Sequence, residues 1–429
     1  MLINSTLEVL HATLINSGAA FCITSRFTIR QSGIISKMRC RQILAPFSSL
    51  KILPLLKRFF LFPHSHRIEG QAVSPATKVI FTRTMFTSRP LCLKMWLPCN
   101  NGVYNTKDEP SRWEYLLEGL EYNRRFARKV YLGIASVEQE SKDTIRRGRL
   151  IMHPQKSELK PGVQYALVMQ CLDESWRLDH LLFEGKMSTK PDLEFLAKAI
   201  ASMHKQLMPS PEGHGNLESI SSKLALNRHF FNEALQLLAL DDESVNKFKC
   251  IGRLMTQFCR DYSEHFDQRY RNGHIKRCHG DLKAANLWIR PESLLFWGLK
   301  QYPPQLLALD CIDFRPEFCH IDTLSDIALL AIDIEMQLTD WSGENMNRLS
   351  GQNTARYFLC TYLHKAQEDD ETTWPLLEYY MTEKSMVSAS MNILYSSSSI
   401  LGKRYLDIAL SHAEKLEKLL ANSGKLLAA

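Results

Sequence analysis

The stretch Cys278-His279-Gly280-Asp281-Leu282-Lys283-Ala284-Ala285-Asn286-Leu287 places an Asp, a Lys two residues on and an Asn five residues on in one short segment. A strand-like run, Leu306-Leu307-Ala308-Leu309-Asp310-Cys311-Ile312-Asp313-Phe314, follows and delivers two more carboxylates. Phosphoryl transfer from a nucleotide needs this combination. One carboxylate takes the proton of the attacking hydroxyl, while an Asn oxygen and a second carboxylate hold the magnesium that gathers the phosphates. Downstream, Asp322-Thr323-Leu324-Ser325-Asp326-Ile327-Ala328 opens a helix. A strand-end Asp followed by an Asp-rich helix start is the order expected of a loop braced at a helix N-terminus.

The residues before this segment divide into a strand-rich part and a helical part. Lys78–Arg83, Leu91–Trp96, Tyr131–Val137, Arg149–Met152 and Tyr165–Gln170 read as five strands, with a helix capped by Ser111 between the second and third. From Leu178 onward the pattern is mostly helical, through Asp192–His204, Val245–Phe266, Thr323–Leu338, Asn353–Lys365, Trp374–Tyr395 and Leu401–Leu420. The expected fold class is α+β: a small antiparallel β lobe over residues 76–172, a hinge near Met169 to Leu172, and a helical lobe over residues 173–429 that carries the catalytic loop.

Composition sets outer limits. Hydrophobic residues at 45% and charged residues at 23% describe an ordinary globular protein, not a disordered or fibrous one. No apolar run reaches the roughly 18 residues of a membrane span. Eleven cysteines are scattered without a C-x-x-C pair, the usage of reduced thiols and a cytoplasmic setting. The net charge of +7 is concentrated in residues 1–75, which hold nine Lys/Arg against Glu8 and Glu69. Removing those from the 53 basic and 46 acidic residues leaves 44 of each, so charge does not argue for nucleic acid binding. Residues 1–75 are therefore expected to be an extension outside the core: a surface arm, an over-extended reading-frame start or an organellar targeting segment. His64 and His66 within it are expected to be an ordinary loop pair, and Glu368-Asp369-Asp370-Glu371 a solvated acidic loop or an attractor for a cationic substrate.

His279-Gly280-Asp281 with Asn286, Ile312-Asp313-Phe314 and Asp326-Ile327-Ala328 resemble the catalytic and metal-binding loops of aminoglycoside phosphotransferases. The closer likeness is to bacterial members often fused to a C-terminal ATP-binding domain. Leu120-Glu121-Tyr122-Asn123-Arg124-Arg125, Lys276 to Asp281, Ala331 to Glu335 and Leu377-Glu378-Tyr379-Tyr380 extend it over roughly residues 75 to 415. The resemblance implies a two-lobed, protein-kinase-like fold and ATP- and Mg2+-dependent phosphorylation of a small hydroxyl-bearing substrate. It implies Asp281 as catalytic carboxylate and Asn286 and Asp313 as metal ligands. Asp310 competes for the second metal position; Asp313 is favoured because it precedes Asp326 by thirteen residues. Asp322 and Asp326 would brace the loop.

The resemblance further implies Lys94 as the lysine on the nucleotide phosphates, with Glu118 or Glu121 pairing with it. Met169 and Cys171 would line the nucleotide base. Gly119 stands where the family's acid is expected. Lys283 replaces a common His and gives Asp-Leu-Lys-x-x-Asn, the protein-kinase form, in which the lysine offsets phosphoryl charge. No G-x-G-x-x-G precedes Lys94, and Asp-Phe-Gly, Ala-Pro-Glu and G-x-x-x-x-G-K-[ST] are absent. Two other readings stay open: a kinase-like nucleotide-binding module without turnover, and a protein kinase.

Overall fold

Strand β3 (Pro90–Trp96) shows how the sheet closes. Leu91, Leu93 and Met95 recur with the period of a strand and meet Ile80, Ala135, Val137, Ile145, Ala166 and Val168 in one apolar cluster. In the computed structural model, which describes residues 64–74, 76–84, 90–100, 104–238, 242–291, 293–294, 301–302, 304–339, 348–395 and 399–422, that cluster fills a closed six-stranded antiparallel barrel. Its order is β1 (His64–Val73), β2 (Thr77–Thr84), β3, β6 (Tyr165–Gln170), β4 (Tyr131–Gln139) and β5 (Thr144–Arg147), with β5 returning to pair with β1. Closure leaves no unpaired sheet edge.

The barrel differs from the five-stranded expectation in three places. First, β1 lies inside residues 1–75, the stretch read as an extension, and puts His66 on a strand, not in a loop. His66 is fully buried, its Nδ1 3.3 Å from Thr82 Oγ1. The alternating positions 66, 68, 70 and 72 are His, Ile, Gly and Ala, too weakly apolar to announce a strand. Second, the strand expected over Arg149–Met152 is only a bridge between Ile151 and Ile134. Its place is taken by polar β5, whose Arg147 is buried, and burial lowers that guanidinium's pKa to about 10. Third, helix α1 (Glu109–Ala127) starts before Ser111. The Asp108 carboxylate accepts from the Ser111 amide at 2.7 Å and from its hydroxyl at 3.0 Å, so Asp108 caps the helix.

The chain divides by its contacts into two units. The described part of the first comprises the barrel and α1 as far as Leu120; the second takes Glu121–Arg128 and everything from Leu172 on. The second unit contains α2 (Leu178–Phe183), α3 (Lys190–Gln206), α4 (Leu217–Leu237), α5 (Asp242–Asp261) and α6 (Ser263–Arg271). It continues through β7 (Ile275–Arg277), β8 (Leu287–Arg290), β9 (Ser293–Leu294), β10 (Gln301–Tyr302), β11 (Gln305–Ala308), α7 (Pro316–Cys319) and β12 (His320–Asp322). Helices α8 (Thr323–Leu338), α9 (Arg348–Ala366), α10 (Thr373–Tyr395) and α11 (Ser399–Asn422) complete it. The single helix expected over Val245–Phe266 is two, interrupted at Tyr262.

Helix α8 is the axis of the helical unit. From Thr323 to Met336 every residue but Leu329 is buried, so its carboxylates must find partners inside the protein. Glu335 and Glu378 converge on His412, whose Nε2 is 3.0 Å from Glu335 and Nδ1 2.6 Å from Glu378. Burial alone would lower the His412 pKa, but the two carboxylates raise it to about 9. A folded pKa above the unfolded value of about 6.5 contributes stability that is complete below that pH and is lost as pH rises through about 9. Denaturant titrations at pH 6.5 and 9.5 are therefore expected to show a lower midpoint at the higher pH, and H412F to flatten that difference.

In the acidic loop Asp369, Asp370 and Glu371 are exposed, as expected of a solvated loop, but Glu368 is not. Glu368 is tucked against Arg269 (2.7 Å) and His274 (3.4 Å). Burial opposes its charge, yet the hydrogen bond from His274 and the Arg269 guanidinium hold its pKa down to about 2. Asp370 accepts from the Thr372 and Thr373 amides at 2.8 and 3.1 Å at the start of α10. Among the described residues no helix is long and apolar enough to cross a membrane.

Candidate active site

Strand β7 feeds the loop from Cys278 to Asn286, and β8 leaves it. Its turn is possible because residue 280 is glycine. Gly280 has φ +81°, and a Cβ there would lie 2.7 Å from the Phe318 carbonyl oxygen. Two carboxylates seven residues apart on α8 then hold the loop backbone. Asp326 accepts from the His279 amide at 3.0 Å, the Gly280 amide at 2.9 Å and His204 Nε2 at 3.2 Å. Asp333 accepts from the Ala284 amide at 2.6 Å and the Tyr405 hydroxyl at 3.2 Å. Burial would raise the Asp326 pKa, but His204 and the His279 amide bring it below the ordinary value. Asp333 goes the other way: burial, with the Asp179 charge adding to it, raises its pKa to about 6.

Within this frame the chemistry-bearing side chains face one another. Asn286 Nδ2 donates to both the backbone oxygen and Oδ2 of Asp281, each at 2.9 Å. Lys283 Nζ lies 2.9 Å from the same Oδ2. Asp281 Oδ1 and Asn286 Oδ1 take no part in these bonds. Asp281 is half-buried, whereas Asn286 is almost fully buried.

The second acidic segment is tied to the loop by backbone bonds on both sides of Asp310. Ala308 of β11 pairs with Leu287 of β8, and the Leu309 amide continues the ladder to the Asn286 oxygen at 2.9 Å. His279 Nε2 donates to the Leu309 oxygen at 3.0 Å, and the Ile312 amide to the His279 oxygen at 2.9 Å. The Cys311 amide donates to the Asn123 side-chain oxygen at 2.9 Å. Asp310 itself has φ +62°, a left-handed conformation that Asp tolerates better than most residues. Asp310 and Asp313 are equally buried. His279, kept neutral chiefly by burial, feels the charges of Asp326, Asp281 and Asp310.

Asn286, Asp310 and Asp313 carry side-chain oxygens of the hard type that magnesium takes, and all three are buried. Another group, His204, Cys278 and Asp326, also has the residue types of a metal site. Its atoms are already spent: His204 Nδ1 is 2.7 Å from the Tyr362 hydroxyl, Cys278 Sγ contacts the Ile321 oxygen, and both Asp326 oxygens hold the loop. It is a brace.

No family model matches the chain. An uncharacterized protein of Mycobacterium bovis is 22% identical over 316 residues, covering 71% of this chain and 53% of the relative. Two uncharacterized proteins of Mycobacterium tuberculosis match with the same figures. The chain thus spans about half the length of the curated relatives it matches. Among solved structures, a choline kinase from Cryptosporidium parvum gives a TM-score of 0.44 at 11% identity, over 88% of this chain and 97% of the other. An ethanolamine kinase of Plasmodium vivax gives 0.38 at 12%, over 82% and 81%. A glucosamine kinase gives 0.37 at 11%, over 84% and 94%. The chemistry of the site is carried by its own residues.

The barrel residues expected to meet a nucleotide have definite places. Lys94 alternates with the barrel-facing positions of β3, is almost fully buried, and has Nζ 5.7 Å from the Trp96 ring centre. Trp96 in turn packs on Tyr115 of α1, ring centres 4.9 Å apart. Glu118 is exposed on α1, and Glu121 is engaged with Arg125 at 3.1 Å. Met169 is buried in β6 and paired with Cys92 and Tyr131, while the Cys171 amide donates to the Pro90 oxygen at 3.2 Å. Asn123 and Asp333 carry no role in the sequence reading, yet both hold site backbone. Asn in a helix interior and Asp in an apolar helix each cost stability unless satisfied, which was the available signal.

Proposed function

We propose that the chain is an ATP- and magnesium-dependent phosphotransferase that acts on a hydroxyl of a small molecule, with a protein-kinase-like fold akin to that of aminoglycoside phosphotransferases. The observation that carries this reading is the Asp281–Asn286–Lys283 cluster, tied by backbone bonds to the Asp310 segment. Asp281 Oδ2 is occupied by Asn286 and Lys283, which leaves Oδ1 to accept the proton of the incoming hydroxyl and to orient it for in-line attack.

Asn286 and one of the two later carboxylates would hold the metal. Asp310 is favoured over Asp313, because its neighbours Leu309, Cys311 and Ile312 are each bonded to the loop or to Asn123. Held by those residues, magnesium would supply positive charge against the nucleotide phosphates. Lys283 stands beside the acceptor carboxylate, where its ammonium counters charge on the transferred group. Lys94 would serve the nucleotide phosphates, Glu118 would orient it, and Met169 and Cys171 would flank the base.

The test is ADP release from Mg2+-ATP by the purified chain across a panel of amino alcohols, aminoglycosides, sugars and a generic protein acceptor. Release that depends on a small hydroxyl compound is expected. Phosphate incorporation only into protein would move the assignment to a protein kinase, and magnesium-dependent ATP binding without turnover would leave a nucleotide-binding module.

A further inference from the structure

At the end of β7, outside the Asp281 cluster, two arginines meet one tyrosine ring. Arg277 ends β7, one residue before Cys278, and is paired in register with His320 of β12. Its guanidinium carbon sits 3.1 Å from the centre of the Tyr122 ring, and Nη1 is 3.1 Å from His320 Nε2. His320 Nδ1 is 2.8 Å from Ser210 Oγ, and its ring stacks on His214 with centres 4.5 Å apart. Arg125 approaches the same Tyr122 ring at 5.0 Å.

The hydrogen bonds fix which groups can take a ligand. Since Arg277 can only donate, His320 Nε2 accepts, and Nδ1–H donates to Ser210. His320 is therefore the neutral tautomer. In agreement, burial first, then the charges of Arg277, His214 and Arg125, lower its pKa to about 4. His320 thus orients Arg277 and adds no charge of its own. Arg125 already has a carboxylate, Glu121, at 3.1 Å. Among the described residues no carboxylate lies within ion-pair distance of Arg277. A half-buried arginine, held flat on an aromatic ring and oriented by a neutral imidazole, keeps its remaining N–H groups for an anion. Fixed in this way it loses little side-chain freedom on binding, which favours planar, two-point recognition of an oxyanion.

We propose that Arg277, with Arg125, His214 and the Ser210 hydroxyl around it, forms a site for a phosphoryl group, free or as a phosphomonoester. The site does not depend on the phosphotransferase reading, and nothing in that reading uses these residues. It lies where an anion would be felt by the loop, because the Cys278 amide that follows Arg277 donates to the Cys319 oxygen just before His320 at 2.7 Å.

The experiment is thermal unfolding of the full chain in 10 mM inorganic phosphate, in 10 mM glycerol 2-phosphate, and in chloride of equal ionic strength. A Tm rise of about 2 °C or more in either phosphate over chloride is expected. A rise in inorganic phosphate alone assigns the free ion, and a rise in both assigns the phosphoryl group generally. The rise is expected to vanish in R277M and to persist in D281A. H214A, which leaves Arg277 in place, is expected to raise the half-saturating phosphate concentration by about threefold or more. No rise in the wild type overturns the proposal. So does an equal rise in R277M, or a rise lost in D281A and kept in R277M, which would seat the phosphate in the catalytic loop. Should R277M fail to fold, an unchanged half-saturation in H214A overturns the proposal by itself.

Discussion

Asp281→Ala is expected to lower nucleotide-dependent phosphorylation by about 10²–10⁴-fold, the usual contribution of a positioned proton acceptor. The fold should survive. Asp281 is half-buried, and Asn286 keeps its second bond, to the Asp281 backbone oxygen at 2.9 Å, after the carboxylate is gone. The change in unfolding free energy should stay within about 1 kcal/mol, as for a site away from core packing. Nucleotide affinity should be little altered, since Asp281 is assigned to the acceptor hydroxyl. Single-turnover phosphorylation, nucleotide titration and denaturant melts measure these three quantities separately. Full turnover in the variant would remove Asp281 from the mechanism. Lost turnover together with lost folding would make it a structural residue.

Asp326→Ala should be the most damaging substitution for stability, by about 3–5 kcal/mol. The carboxylate is completely enclosed and satisfies the His279 and Gly280 amides together with His204. Removing it leaves two buried N–H groups and an imidazole without an acceptor, and each unmet donor carries its full desolvation cost. Asp326→Asn should be nearly as harmful, because an amide offers one acceptor oxygen where two are in use and turns a donor toward a donor. Denaturation midpoints would read the loss. A variant within about 1 kcal/mol of wild type would show that the loop holds itself.

Much of the site was legible because its residues are close in sequence and chemically distinctive. The five-residue step from Asp281 to Asn286 brings those two side chains to 2.9 Å, and the bracing part expected of Asp326 matches where its oxygens lie. Lys283 was legible as an unusual cation but not as a partner of Asp281, since a flexible side chain leaves no spacing to read. Counting residues favours Asp313, whereas our preference for Asp310 rests on features that spacing does not carry, a backbone conformation and the neighbouring ladder bonds.

The barrel was less legible for a related reason. Strand β1 presents His66, Ile68, Gly70 and Ala72 inward, and β5 buries an arginine, so neither shows an apolar alternation. Helices such as α3 and α8 carry many apolar positions each, and their period survives a polar substitution. A four-residue strand has no such redundancy.

The pair Asp326 and Asp333 on α8 makes the helix a ruler. Seven residues at about 1.5 Å each set two anchoring points about 10 Å apart on one side of a rigid rod. The four-residue step from Gly280 to Ala284 has to match that spacing. Substitutions in the step that keep the backbone path are compatible with the ruler, but a change of length is not. One residue inserted in α8 between the two aspartates would swing Asp333 by about 100° around the axis and away from Ala284. Related chains that keep both carboxylates should therefore vary in this region by replacement and not by insertion or deletion.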